Sequence, residues 1–163
     1  MIHKRLEAFV VASFMLAASA FAQAPSAPSS PAKPATGEHA GFIKSVKGTV
    51  RVVDPSGNKL PLKVGDAVSS ASRIETEEGS GASVVLRDGT VMVLGPSSQL
   101  DLKQFNFNST TQEGGLFVSL VRGSLRMITG LLGKKPETMR IDTQTATIGI
   151  RGTDFIVTAE GRM

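Results

Sequence analysis

Ile141 to Val157 reads Ile-Asp-Thr-Gln-Thr-Ala-Thr-Ile-Gly-Ile-Arg-Gly-Thr-Asp-Phe-Ile-Val, and its alternation limits what the chain can become. Ala146, Ile148 and Ile150 fall on one side of an extended backbone and Thr145, Thr147 and Gly149 on the other, the period-2 pattern of a half-buried strand. Ile150 and Phe155 are an odd number of steps apart. Because side chains change face at every step, Ile150, Phe155 and Val157 can all point inward only if the backbone is irregular near Arg151-Gly152-Thr153. We expect a β-bulge there, with Gly152 taking positive φ. Arg151 and Asp154 flank it closely enough to form a charged pair or to bond strained backbone groups, which makes the corner a locked turn before it is a recognition element.

The rest of the chain repeats the theme of short alternating runs between turns. Phe42, Val46, Val50 and Val52 share one side of a segment that contains Gly48, a bulge or close-approach point. Asp54-Pro-Ser-Gly57 is a turn, and Leu60, Leu62 and Val64 return as an edge strand with Pro61 on the opposite face. Ala82, Val84 and Leu86 alternate up to Asp88-Gly89, where a two-residue hairpin turn is expected before Val91 to Leu94. Leu100, Leu102, Phe105 and Phe107 mark another strand or two. Leu116 to Leu132 fits both a helical stripe and strands; Gly123 in its middle disfavours the helix by about 1 kcal/mol, and two strands are expected. Turns about every ten residues, with no long helical pattern, make an all-β domain of short antiparallel strands, sandwich-like or solenoid-like.

The ends differ from this body. Met1-Ile-His-Lys-Arg5 is basic, Ala8 to Ala20 is apolar apart from two serines, and Ala20-Phe-Ala22 offers small residues two apart. These are the parts of a cleaved secretory signal over residues 1–22, and the apolar run is shorter than the roughly 20 residues of a membrane span. Residues 23–40 carry Pro25, Pro28, Pro31 and Pro34 among alanines and serines and form a disordered, extended spacer. The folded domain is expected at 41–163, in the periplasm or outside the cell, with no membrane span after cleavage.

Composition removes most chemistries. The chain has no cysteine, tryptophan or tyrosine, and its two histidines, His3 and His39, precede the patterned region. A Ser/His/Asp triad, a Cys/His pair and His- or Cys-ligated metal are therefore excluded from Gly41 onward. The net charge of +4 comes from scattered side chains and reads as a solvated mixed surface. With phenylalanine alone available for stacking, no nucleic-acid role is expected. Asp66, Glu75, Glu77, Glu78 and Asp88 show no spacing that selects a catalytic pair or a calcium loop. We expect no enzyme, no cofactor and no metal.

Ile148-Gly-Ile-Arg-Gly-Thr-Asp-Phe155, preceded in order by Gly48-Thr-Val-Arg-Val52, Val64-Gly-Asp-Ala-Val68, Leu86-Arg-Asp-Gly-Thr90 and Arg122-Gly-Ser-Leu-Arg126, resembles the FecR domain over roughly 42–158. The resemblance implies a β-rich, exported protein-contact or signalling module of the bacterial envelope with a protein partner, and a family corner formed by Gly149, Arg151, Gly152, Thr153, Asp154 and Phe155. Family members named for iron uptake place a sigma-factor-binding segment and a membrane helix ahead of this domain. A signal stands there instead, so sigma-factor control is not implied. The family pattern continues with a further hairpin, so the domain is short or truncated after Met163. A structural module on envelope polysaccharide is the alternative, weakened by the missing Trp and Tyr.

Overall fold

The computed structural model describes residues 39–135, 137–152 and 154–161. The expected signal, most of the spacer and Thr153 of the corner lie outside them. Twelve strands run in order: β1 (His39–Lys47), β2 (Val50–Val53), β3 (Lys59–Pro61), β4 (Ala67–Ser69), β5 (Arg73–Thr76), β6 (Gly81–Leu86), β7 (Val91–Leu94), β8 (Gln99–Asn108), β9 (Glu113–Ile128), β10 (Met139–Asp142), β11 (Thr147–Gly149) and β12 (Asp154–Ala159). One 3-10 turn, Leu132–Lys134, interrupts them. The all-β expectation holds. The strands form a single curled sheet in the order β3-β2-β5-β8-β9-β7-β6-β1-β4, with β10 and β12 also on β9 and β11 on β10. Every pairing is antiparallel except β10 with β9.

β9 organises the sheet. Its first half pairs with β8 and β10, its second half with β7 and β12. The two expected strands are therefore one strand of 16 residues, and what stands between its halves is a bend at Gly123, where φ is 89°. Chain length requires that bend. Gly149 lies level with Phe117 through Arg140, and Asp154 lies opposite Ile128. The few residues from 149 to 154 span at most roughly 18 Å, whereas a straight strand from Phe117 to Ile128 would cover roughly 36 Å. A Cβ at position 123 would sit 2.2 Å from the Ser98 hydroxyl, so only glycine permits both the φ and the contact.

Both halves of the curled sheet turn their inner sides onto one core. Ile43, Val84, Met92 and Met127 are neighbours across β1, β6, β7 and β9 and are fully buried. Ile74, Leu100 and Leu120 continue the core in the other half. Leu62 is buried, but Leu60 and Val64, which alternation placed beside it, are exposed: β3 ends at Pro61, and Leu62 turns inward just beyond it, its N–H donating to Val50 O.

Three register details differ from the expectation. Phe42 points outward at 50% exposure while Ile43 is buried. A register shift between Ile43 and Ser45 lets Val46 and Val50 turn inward without it. The odd step from Leu102 to Phe105 has the same origin, a shift between Leu102 and Gln104 in β8. The β6–β7 hairpin has three loop residues, Arg87 to Gly89. Gly89 N–H donates to Leu86 O, Leu86 N–H donates to Thr90 O, and Gly89 has φ 85°, a turn closed by a left-handed glycine.

Candidate functional site

The corner at residues 149–155 is a crossing between two strands that never pair with each other. β11 hangs on β10, and β12 lies along the second half of β9. Ile150 is 5% exposed, and its N–H donates to Met139 O at 3.1 Å. Phe155 and Val157 pack partly onto the core. The odd spacing thus falls at a break between two strands that pair with different neighbours. Gly152 has neither positive φ nor any atom near a built Cβ, and Gly149 is equally open. The structural demand for glycine lies at Gly123, not at the corner.

The charged pair also differs from the expectation. Asp154 accepts from Arg126, Nε to Oδ1 at 3.0 Å and a guanidinium nitrogen to Oδ2 at 2.6 Å, while Arg151 is exposed. Arg126 stands opposite Ile156 on β9, two residues along from Asp154 and on the same face, so register hands Asp154 to it. The hydrogen bond holds the Asp154 carboxyl below the usual carboxylate range and raises the Arg126 guanidinium. Thr129 Oγ1 donates to Gly152 O at 2.6 Å and ties the crossing to the end of β9. Ile150, Arg151, Phe155 and Val157 help line a cleft of about 400 Å³ beside β12.

A second cleft, about 340 Å³, is lined by Pro55, Ser72, Arg73, Asp101 and Lys103 among others. Asp101 is held by Arg73 through two hydrogen bonds and by Lys103 at 3.1 Å. Burial alone would raise its pKa, but the bonds from Arg73 and Lys103 outweigh it and the net shift is downward. A carboxylate fixed in this way stays ionised and does not trade protons.

The other acids have structural uses. Asp88, 2% exposed, accepts from Thr90 N–H at 3.0 Å and Thr90 Oγ1 at 2.6 Å. The same threonine hydroxyl accepts from Gly130 N–H. Asp66 accepts from Lys63 N–H, Glu75 pairs with Lys59 and Glu77 with Arg51. Glu78 is exposed in the following turn. Among the described residues no group of three metal-binding side chains comes together, and no helix is long and apolar enough to cross a membrane.

What the sequence reading missed is on the outside of the sheet. Ile128, Val91, Val85 and Phe42 are successive cross-strand neighbours on β9, β7, β6 and β1. Each is the partner-row counterpart of a buried residue one position away, so both sides of this half-sheet are apolar. Ile128 is 39% exposed; Val93, two residues along β7, and Ile156, on β12, face each other across Arg126 and are 38% and 68% exposed. The row runs roughly 14 Å across four strands. The signal in the sequence was present as unbroken apolar pairs, Val84-Val85, Val91-Met92-Val93-Leu94 and Met127-Ile128, where one-sided burial requires a polar alternate.

The fold is thus an all-β curled sheet with an apolar outer row and with carboxylates bound into turns and ion pairs. Residues 72–163, more than half of the chain, match the family described as FecR protein, and the chain belongs to that family. A solved structure described as a cell surface anchoring domain is similar at 30% identity and a TM-score of 0.38, over 39% of this chain and 83% of that one. No curated protein matches.

Proposed function

We propose that the protein is a non-enzymatic contact module of the bacterial envelope, exported by residues 1–22, carried on the 23–40 spacer, and docking a protein partner on the outer row Ile128-Val91-Val85-Phe42. The observation that carries this reading is the row itself: adjacent apolar side chains left outward on a sheet whose inner side already supplies the core. Contiguous exposed apolar surface on a soluble domain marks an interaction site. A protein partner fits better than a glycan. Sugar rings stack on Trp and Tyr, which this chain lacks, whereas aliphatic side chains and one phenylalanine pack well against other aliphatic side chains.

The test is capture of the partner from intact envelope by photo-crosslinking the full chain through position 128. A defined protein should be captured, and the double substitution Phe42→Lys and Val93→Lys should reduce its yield at least tenfold while leaving the thermal transition in place. Retention of the same partner by the doubly substituted chain would refute the docking row. Retention on isolated envelope polysaccharide, without a protein adduct, would establish the polysaccharide reading instead.

A further inference from the structure

The edges of the sheet are not treated alike. β3 is three residues long and carries Lys59 and Pro61; β4 and β11 are also three residues long. Short strands, lysine and proline are the ways a protein stops an edge from recruiting another strand. β12 has none of them. It has six residues, Asp154-Phe-Ile-Val-Thr-Ala159, pairs on one side with β9 and on the other with no described strand, and presents Ile156 outward at 68% exposure. Its single charge, Asp154, is neutralised by Arg126.

We propose that β12 pairs with β12 of a second copy of this chain, antiparallel, about a two-fold axis through Ile156. Register selects both the occupant and the centre. Opposed residues in an antiparallel pair share a face, so only registers joining positions of equal parity keep the apolar side on the core. Centring on Phe155 would set Asp154 against Ile156 and leave the carboxylate beside an apolar side chain. Centring on Val157 would oppose Asp154 to Glu160, and like charges directly opposite repel. Centring on Ile156 avoids both. Ile156 meets Ile156 of the second copy, Phe155 meets Val157, and Asp154 meets Thr158, whose hydroxyl donates to a carboxylate that keeps its arginine. The buried area of one strand pair falls short of the ~800 Å² per partner of a standard interface, so the dimer is a weak, concentration-dependent one. This inference does not rest on the docking row, and the two fail separately, since one depends on Phe42 and Val93 and the other on Ile156.

The chain has no cysteine, so one introduced thiol reports the contact cleanly. Full-length Ile156→Cys, placed under a mild oxidant or a short bis-maleimide, should give a covalent dimer. Ile128→Cys is one strand further from the axis and should stay monomeric under the same conditions. Light scattering in the upper micromolar range should give twice the monomer mass for the parent and the monomer mass for Ile156→Lys, with unchanged circular dichroism. Ile156 is exposed, so neither substitution threatens the fold. A monomeric parent would overturn the proposal. So would equal crosslinking of the two cysteine variants, or crosslinking of Ile128→Cys alone, which would point to packing of the outer faces.

Discussion

At the scale of single residues, the glycines separate structural necessity from motif. Gly123 holds φ 89° against Ser98, so Gly123→Ala adds a disfavoured backbone to a clash and should cost about 2 kcal/mol or more in urea unfolding. Gly152, in the Arg-Gly-Thr corner, has open space and ordinary φ, so Gly152→Ala should stay within about 0.5 kcal/mol of the parent. A sequence reading chooses Gly152 because an odd spacing demands an irregularity and glycine stands nearest to it. The demand was real, but a break between two strands satisfies it without positive φ. Gly123 was visible only as a helix breaker, because the Ser98 contact that requires it is long-range. Titration belongs to this scale too. Asp101 is nearly buried and its pKa is lowered by Arg73 and Lys103 against the cost of burial. A carboxyl whose folded pKa is depressed stabilises the fold above its unfolded value of about 3.9 and loses that contribution as pH falls through the folded one. The melting temperature should therefore drop below about pH 4, and Asp101→Asn should flatten that drop while lowering stability at neutral pH.

Among the elements, the hairpin and the edges were legible while the long strand was not. Ala82, Val84 and Leu86 are all buried, as alternation requires, and Pro61 marks an edge strand. The Asp-Gly turn was located correctly but is one residue longer, because Asp88 turns inward to bind Thr90 in place of serving as a solvated turn residue. Thr90 and Gly130 then tie the hairpin to the segment after β9. Asp88→Ala should leave two buried donors without their acceptor and cost about 1–3 kcal/mol, readable as a shift in urea midpoint with an unchanged slope. The double partnership of β9 was hidden because pairing of one strand with four others is a property of the folded sheet. It also sets a dynamic order: β9 amides, bonded on both sides, should exchange more slowly than those of β12, which has one described neighbour.

For the whole molecule, the family match begins at residue 72, but the fold begins earlier. β1 lies between β4 and β6, and Ile43, Val50, Leu62 and Val68, all ahead of residue 72, are buried in the common core. Fully burying such a side chain contributes about 1.5–3 kcal/mol, so the four together supply roughly 6–12 kcal/mol. That equals the entire stability of a typical domain, about 5–15 kcal/mol. Loss of β1 would also strip the hydrogen-bonding partner from one whole side of β6 and open a long apolar edge. A chain restricted to residues 72–163 should therefore not fold by itself. Its circular dichroism should show no cooperative transition and its amide spectrum no dispersion, whereas a chain from residue 39 onward should melt like the full-length protein. Cooperative unfolding of the 72–163 piece would mean that the first four strands only decorate a self-sufficient sheet, and that the core does not extend across β1 as the burial of Ile43 requires.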